Sequence, residues 1–347
     1  VLIVLAACAL PRRVAAQDVA FAADAAVAGW RQVVTRAAIE RSGIMRLGEL
    51  VRLARRWDAV TVDEYTWRAA PAGLAPLEQD DWAVVLDGQE IDPSLLGVLA
   101  LERLPLDLGA VDSAVFTAAP ALAAGSFRGR GLLEIHTRRP AAGFSARARY
   151  ATGSETGDPG PFAFVPGSVP NRDRFGHDAA VGAGYGGDRW YLATALAVGV
   201  HVATDPAIAD RQATTGALPR IERTAPSLRL GFLTAEGRHE LRVGRARLDD
   251  WFRLEAYGAE IPVRSTLDLA GVAGSHRVGA VEVGYRAGYE HADLQSRLGT
   301  PLHLESRAVR GELSVARSGN GNVRRAGVGL VRRRTDVPGR LPDPVTL

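Results

Sequence analysis

The sequence predicts a mainly β protein: a small α/β domain followed by antiparallel strands of a transmembrane β-barrel, present as a partial barrel. Three observations predict it. An apolar N-terminal run has the length of a secretion signal. The next hundred residues mix short helical and strand periods. From Phe144 onward the period changes to two, with short turns and longer polar connections alternating between the strands.

Residues 1–10, VLIVLAACAL, are too short to span a bilayer as a helix, and Val14-Ala15-Ala16-Gln17 offers the small residues of a signal-peptidase site, so 1–16 reads as a signal peptide cut after Ala16. Leu5-Ala6-Ala7-Cys8 also fits a lipoprotein box, a second reading in which Cys8 is lipidated. Cys8 is the only cysteine, so a chain cut after Ala16 has no disulfide and no cysteine metal site. Residues 17–32 are Ala-rich and weakly patterned, the expected flexible lead.

In 33–140, Thr35 caps one or two short helices marked by Ile39, Ile44, Leu47, Leu50 and Val51, ending near Trp57. Trp82 to Leu86 reads as a buried strand stopped by the turn dipeptide Asp87-Gly88. Leu95, Leu96, Leu99 and Leu104 mark a second helical stretch. Val111 to Thr117 and Leu132 to Thr137 read as strands, the latter closing on Arg138-Arg139-Pro140.

In 141–347 about nine strands alternate. Phe144, Ala146, Ala148 and Tyr150 oppose Ser145, Arg147 and Arg149; Trp190, Leu192, Thr194, Leu196, Val198 and Val200 share a face. Val281, Val283, Tyr285, Ala287 and Tyr289 oppose Glu282, Gly284, Arg286, Gly288 and Glu290. Short turns are expected at Gly186-Gly187-Asp188, Ala235-Glu236-Gly237, Gly274-Ser275 and Gly319 to Asn322. Long connections are expected at 152–174, 203–223, 249–263 and 291–304. Trp190, Tyr191, Trp251, Tyr285 and Tyr289 are expected at the membrane interfaces. Val283 is taken as the middle of the lipid face, where an arginine costs about 2–4 kcal/mol, and Arg286→Ala as nearly silent.

Composition excludes other classes. All 42 basic residues are arginine, scattered along the strands and balanced to a net charge of +3, which is not a nucleic-acid surface. Gly182-Ala183-Gly184-Tyr185-Gly186-Gly187 runs into a strand and not a helix, so it is no dinucleotide fingerprint. The seven histidines lack paired helical spacing; His291 and His303 flank a long expected loop and are the candidates for contact with a metal chelate. Asp80-Asp81 and Asp249-Asp250 read as solvated loop charges, and no serine sits in a nucleophile elbow. No catalytic group, cofactor site or resident metal site is expected.

Residues 33–140 resemble the plug domain of TonB-dependent outer-membrane receptors. Val33 to Leu53 is similar to the family's opening strand and helix, with its Ile-x-x-Ser-Gly and Leu-Gly-Glu-Leu pattern, and Val84 to Ile91 to its Val-Asp-Gly strand and turn, here Asp87-Gly88. Val111 to Pro140 resembles the last plug segment, with Pro120, Gly125, Ser126, Gly129, Gly131, Arg138 and Arg139 at matching places. The family's Arg-Gly-Pro is Ala118-Ala119-Pro120 here, and 17–32 carries no clear box for the energy-coupling protein.

The resemblance implies an importer of siderophores, cobalamin or other large nutrients. It implies a periplasm-facing plug gating the barrel, with outer-membrane lipid, a TonB-type protein and a nutrient or metal chelate as partners. The alternative is a non-transporting outer-membrane or surface protein, structural or adhesive, that keeps the scaffold. Nine strands are too few to enclose such a domain, so the chain is expected to be the first part of a barrel.

Overall fold

The structure is a computed structural model that describes residues 30–61, 67–71, 82–91, 94–95, 98–99, 101–118, 121–123, 126–128, 131–154, 175–202, 220–254, 259–296, 303–319 and 322–336. The expected signal peptide, most of the lead, Cys8 and the Asp80-Asp81 pair lie outside them.

The chain starts with β1 (Trp30–Thr35), which reaches back into the segment expected to be a lead, and α1 (Arg36–Ser42). The Thr35 hydroxyl accepts from Ala38 N at 3.4 Å, and Gly43, at φ 72°, ends the helix in the left-handed conformation open to glycine. A 3-10 turn follows at Gly48–Leu53, and Trp57 opens a strand where the sequence suggested a helix end. That strand, β2 (Trp57–Thr61), pairs with β3 (Trp67–Pro71). Next come β4 (Trp82–Leu86) and β5 (Gln89–Ile91), then β6 (Ser94–Leu95) and β7 (Val98–Leu99).

The described residues of the stretch expected to be a helix, Leu95 to Leu104, are not α-helical. Ser94 pairs with Leu99, Leu95 with Val98, and a 3-10 turn takes Leu101–Arg103. Gly97 inside the run and Pro105 after it break the helical period that the leucines suggest.

The domain continues through β8 (Val111–Ala118), β9 (Ala121–Ala123), β10 (Ser126–Arg128) and β11 (Gly131–Thr137). Its main sheet has the order β1-β8-β11-β4-β5, with β11 parallel to β4 and antiparallel to β8. Val34, Leu50, Val51, Leu86, Leu104, Phe116, Leu133 and Ile135 fill its core, each under 4% exposed. Trp57 meets Phe116 edge-on at 5.4 Å.

A second sheet has nine antiparallel strands in chain order: β12 (Gly143–Ser154), β13 (Phe175–Gly186), β14 (Trp190–Val202), β15 (Arg220–Leu233), β16 (Gly237–Leu254), β17 (Ala259–Val278), β18 (Val281–Ser296), β19 (His303–Gly319) and β20 (Asn322–Asp336). Among the described residues β12 and β20 are its two edges, and the sheet is an open wall. The strands run further than the loops expected from their polarity. β16 reaches Leu254 and β17 starts at Ala259, so Asp249 and Asp250 are strand residues, each at most 2% exposed, and not solvated loop charges. Gly274-Ser275 is not a turn; it lies within β17, paired with Tyr285 and Gly284, and the chain turns at Gly279-Ala280 with Gly279 at φ 61°.

The alternation assigns the two faces as the sequence predicts. Phe144, Tyr150, Val181, Tyr185, Trp190, Leu192, Leu196, Val198 and Val200 are exposed on one face. The other face of β12–β19 meets the α/β domain, and Leu267, Leu269 and Ala292 join the domain's core. Tyr191 therefore corrects the interfacial assignment made for it: it points inward and is fully buried, while its neighbour Trp190 points out. Because eight adjacent strands about 4.8 Å apart all touch one small domain, the wall must wrap around it.

Close approach is set by small residues. A Cβ at Gly244 would lie 2.7 Å from Pro105 Cβ and 2.9 Å from its Cγ, and the proline ring cannot swing away. Gly244→Val is expected to cost about 1–3 kcal/mol by overpacking, seen as lost amide-exchange protection around Leu104 and Leu106.

Candidate functional site at the domain–wall interface

Two polar clusters join the domain to the wall. The first surrounds the β4–β5 turn. Asp87 (φ 46°) and Gly88 (φ 85°) both take positive φ, the two-residue hairpin geometry that Asp-Gly favours. Asp87 accepts from Thr137 N at 2.7 Å and Thr137 Oγ1 at 2.6 Å, and pairs with Arg242 of β16, which also donates to Leu86 O at 3.3 Å. Arg286 of β18 donates to Gly88 O at 3.1 Å and to Glu312 at 3.3 Å. Arg310 of β19 pairs with Glu290 at 2.9 Å and donates to Glu90 O. Arg286→Ala is therefore expected to loosen the join instead of being silent, because it removes a bond between wall and domain. Two clefts share Leu86 and Arg242: one is lined also by Asp87, Arg286 and Arg310, the other by Arg138, Arg147 and Arg229.

Where the chain passes from domain to wall, Arg138 N donates to Ala110 O at 2.9 Å, and Arg138 O accepts from Arg229 at 3.1 Å. The Arg139 guanidinium lies 5.3 Å from the Tyr191 ring centroid. The Tyr191 hydroxyl donates to Glu240, which also takes Arg238 at 2.9 Å, Arg242 at 3.1 Å and Arg229 at 3.3 Å. Glu240 thus draws three guanidinium groups together where the chain passes between the two sheets.

The second cluster lies toward the long-loop ends of the strands. Arg223 of β15 donates to Glu102 O at 2.8 Å, Leu104 O at 3.2 Å and Leu106 O at 2.7 Å. It satisfies three carbonyls of a segment with no regular ladder. Glu102 accepts from Gly48 N at 2.6 Å, and Arg103 donates to Ser265 at 3.2 Å. Arg46 reaches His201 Nδ1 at 2.9 Å and Asp178 at 3.3 Å, while His201 Nε2 and Asp178 are 2.8 Å apart. Arg147 contacts Asp107 at 3.4 Å, and Arg149 donates to Met45 O at 2.6 Å.

Burial raises the Glu102 carboxyl from the ordinary 4.5 to about 7, against the attraction of Arg223, the Gly48 amide and Arg46. The folded state therefore holds this proton more tightly than the unfolded chain. The stabilisation is complete below about pH 4.5 and is lost as pH rises through about 7. Glu102→Gln is expected to flatten that dependence, leaving the variant more stable than the parent at pH 8 by up to about 3 kcal/mol. Denaturant midpoints at pH 5 and pH 8 check it; parallel shifts in both proteins would contradict it.

Of the residues singled out in sequence, Asp87, Gly88, Arg138 and Arg139 converge on the first cluster, and Gly131 starts β11, buried. Pro120, Gly125 and Gly129 lie outside the described residues; Ser126 starts β10. His291 and His303 are strand residues and not loop residues. They hold carboxylates, His291 at 3.0 Å from Glu305 and His303 at 3.0 Å from Asp293. Arg46, Glu102, Arg223, Glu240 and Arg242 were not singled out; for Arg223, Glu240 and Arg242 the available signal was a charged residue on the inward face of a two-sided strand, while Arg46, in a bend, and Glu102, in a 3-10 turn, carried none.

No protein-family model and no curated protein matches the sequence. Solved structures do match. The siderophore receptor PirA from Acinetobacter baumannii is similar over 88% of this chain and 48% of its own, at 12% identity and TM-score 0.65. The ferric enterobactin receptor PfeA from Pseudomonas aeruginosa matches over 89% and 49%, at 12% identity and TM-score 0.64. The ferric citrate transporter FecA matches over 91% and 50%, at 15% identity and TM-score 0.58. The chain spans about half the length of these relatives. Its fold is that of these outer-membrane receptors in part, an α/β domain with a partial barrel wall, and the resemblance to TonB-dependent receptors seen in the sequence holds at the level of fold.

Proposed function

We propose that this chain forms the plug domain, 33–140, and the first wall strands, 141–347, of an outer-membrane receptor that imports a large nutrient such as a metal chelate. The plug faces the periplasm and gates passage, with a TonB-type protein as the energy-coupling partner. The observation that carries the reading is two-sidedness: the wall turns charge inward onto a folded domain and apolar side chains outward.

The outward band has the dimensions of a membrane face. From Trp190 to Val200 the outward side chains of β14 cover about 33 Å of strand at about 3.3 Å per residue, or about 25 Å of height at a tilt near 40°. In one hydrogen-bonded row, Thr194, Leu228, Val243, Ala270, Tyr289, Val309 and Arg332 lie side by side. Thr194 sits within its strand's apolar run, Val243 ends one, and Arg332 is already charged. A level membrane crossed by tilted strands requires this drift of the apolar band along the row.

The lower aromatics fit: Phe144, Tyr185, Trp190 and Phe232 stand exposed near the short turns, with Tyr185 and Trp190 rings 4.8 Å apart. Fractionation of the gene product, with heat-modifiable gel mobility as the barrel assay, tests the reading. Outer-membrane recovery with a heat-dependent shift is expected; a soluble, unshifted product would sink it.

A further inference from the structure

The seam between the α/β domain and β12–β16 gathers more positive charge than its acids balance. Arg138, Arg147, Arg229 and Arg242 line one cleft together with Ser145 and Ser227, and among the described residues no acidic side chain lines it. The nearest carboxylates stand behind these arginines. Asp107 reaches Arg147 at 3.4 Å, Glu240 reaches Arg229 at 3.3 Å and Arg242 at 3.1 Å, and Asp87 pairs with Arg242. Arg149 and Arg238 draw on Asp107 and Glu240 as well. Three carboxylates therefore serve five guanidinium groups, and Arg138 adds a sixth that none of the three contacts.

Two of these arginines have donors without acceptors. The Arg138 guanidinium makes no hydrogen bond or ion pair among the described residues. Burial, then the like charges of Arg36 and Arg147, work against its charge; Glu40 and Asp112 favour it from a distance, and Glu40 is already paired with Arg36 at 2.7 Å. Arg229, 8% exposed, gives Nη1 to Arg138 O and Nη2 to Glu240. Its Nε is shut off from solvent and has no partner among the described residues. A buried donor without an acceptor is costly, and an anion entering the cleft would supply the acceptor and the missing negative charge together.

We propose that this cleft binds an oxyanion, a phosphate or carboxylate group, held between domain and wall. Guanidinium suits that ligand, because its planar fork of N–H donors matches a pair of oxygens on one group. The anion bridges Arg138 of the domain to Arg147 on β12 and Arg229 on β15, so it binds only the docked arrangement and tightens the joint where the chain passes between the sheets. Gly184, Ala193 and Arg229 put the cleft toward the short-turn ends of the strands. The Arg46–His201–Asp178 cluster lies toward the other ends. The site follows from the packing of domain against wall and does not depend on the outer-membrane reading.

The experiment titrates the full chain, purified in neutral detergent, with sodium phosphate or sodium citrate by calorimetry, with chloride holding the ionic strength constant. The parent protein is expected to take up one anion per chain, and the tighter of the two assigns the class. Arg138→Gln should weaken that binding at least tenfold while its anion-free stability stays level or rises, because a crowded charge goes and no bond is lost. A purely structural arginine would instead lower anion-free stability when replaced. Amide exchange of the parent reads the site without any variant: the anion should slow exchange over 105–110 and 138–147. No uptake of either anion by the parent overturns the site. So does undiminished binding by Arg138→Gln, or protection that leaves those two segments unchanged.

Discussion

Leu228→Arg is expected to cost about 2–4 kcal/mol of wall stability, the depth-dependent penalty for a guanidinium facing hydrocarbon. Leu228 stands 39% exposed on β15, in register with Thr194 on one side and Val243 on the other, with Leu192, Leu196 and Leu241 as apolar outward neighbours on the adjacent strands. Val283, which the sequence alone placed at mid-face, pairs with His276 and Val315 close to the Gly279-Ala280 turn. An arginine there lies near the interface and should cost about 1 kcal/mol or less. Urea titration of both variants refolded into lipid vesicles separates the cases. Similar costs at the two positions would show that the outward face does not cross a bilayer.

Arg223→Ala is expected to release the segment Leu101–Leu108 from the wall at a cost of about 3–5 kcal/mol. It removes a buried guanidinium and leaves the carbonyls of Glu102, Leu104 and Leu106 without their donor. Hydrogen exchange should show lost protection in that segment, while the β12–β20 ladder stays protected. Arg223→Lys, which keeps the charge but has one donor group in place of a fork, should fall between. Unchanged protection in Arg223→Ala would mean that apolar packing of Leu101, Leu104 and Leu106 alone holds the domain in place.

The faces of the wall were legible because a strand has a strict period of two: once Phe144 and Tyr150 were outward, Arg147 and Arg149 had to be inward. The Asp87-Gly88 hairpin was legible because few dipeptides accept two positive φ values. Strand ends were not. The stretch from 249 to 263 read as a loop, yet β16 and β17 extend into it, and Arg245–Asp268 and Arg264–Asp249 pair ions across the two strands past the apolar band. The helix expected over Leu95 to Leu104 failed because leucine spacing alone does not separate one helix from two short strands followed by a 3-10 turn.

The partners of the inward charges lay beyond any sequence period. Asp87 and Arg242, or Arg223 and the carbonyl of Glu102, meet only when an α/β domain is wrapped by strands far along the chain, and no local spacing encodes that distance. By itself the sequence determined the class of fold, the order of its two parts, and which side of each strand is apolar, because these depend on local periodicity and turn chemistry. Only the tertiary structure decided which charges meet at the interface, how the wall encloses the domain, and where the apolar band ends. Those follow from strand register and tilt, properties of neighbouring strands together.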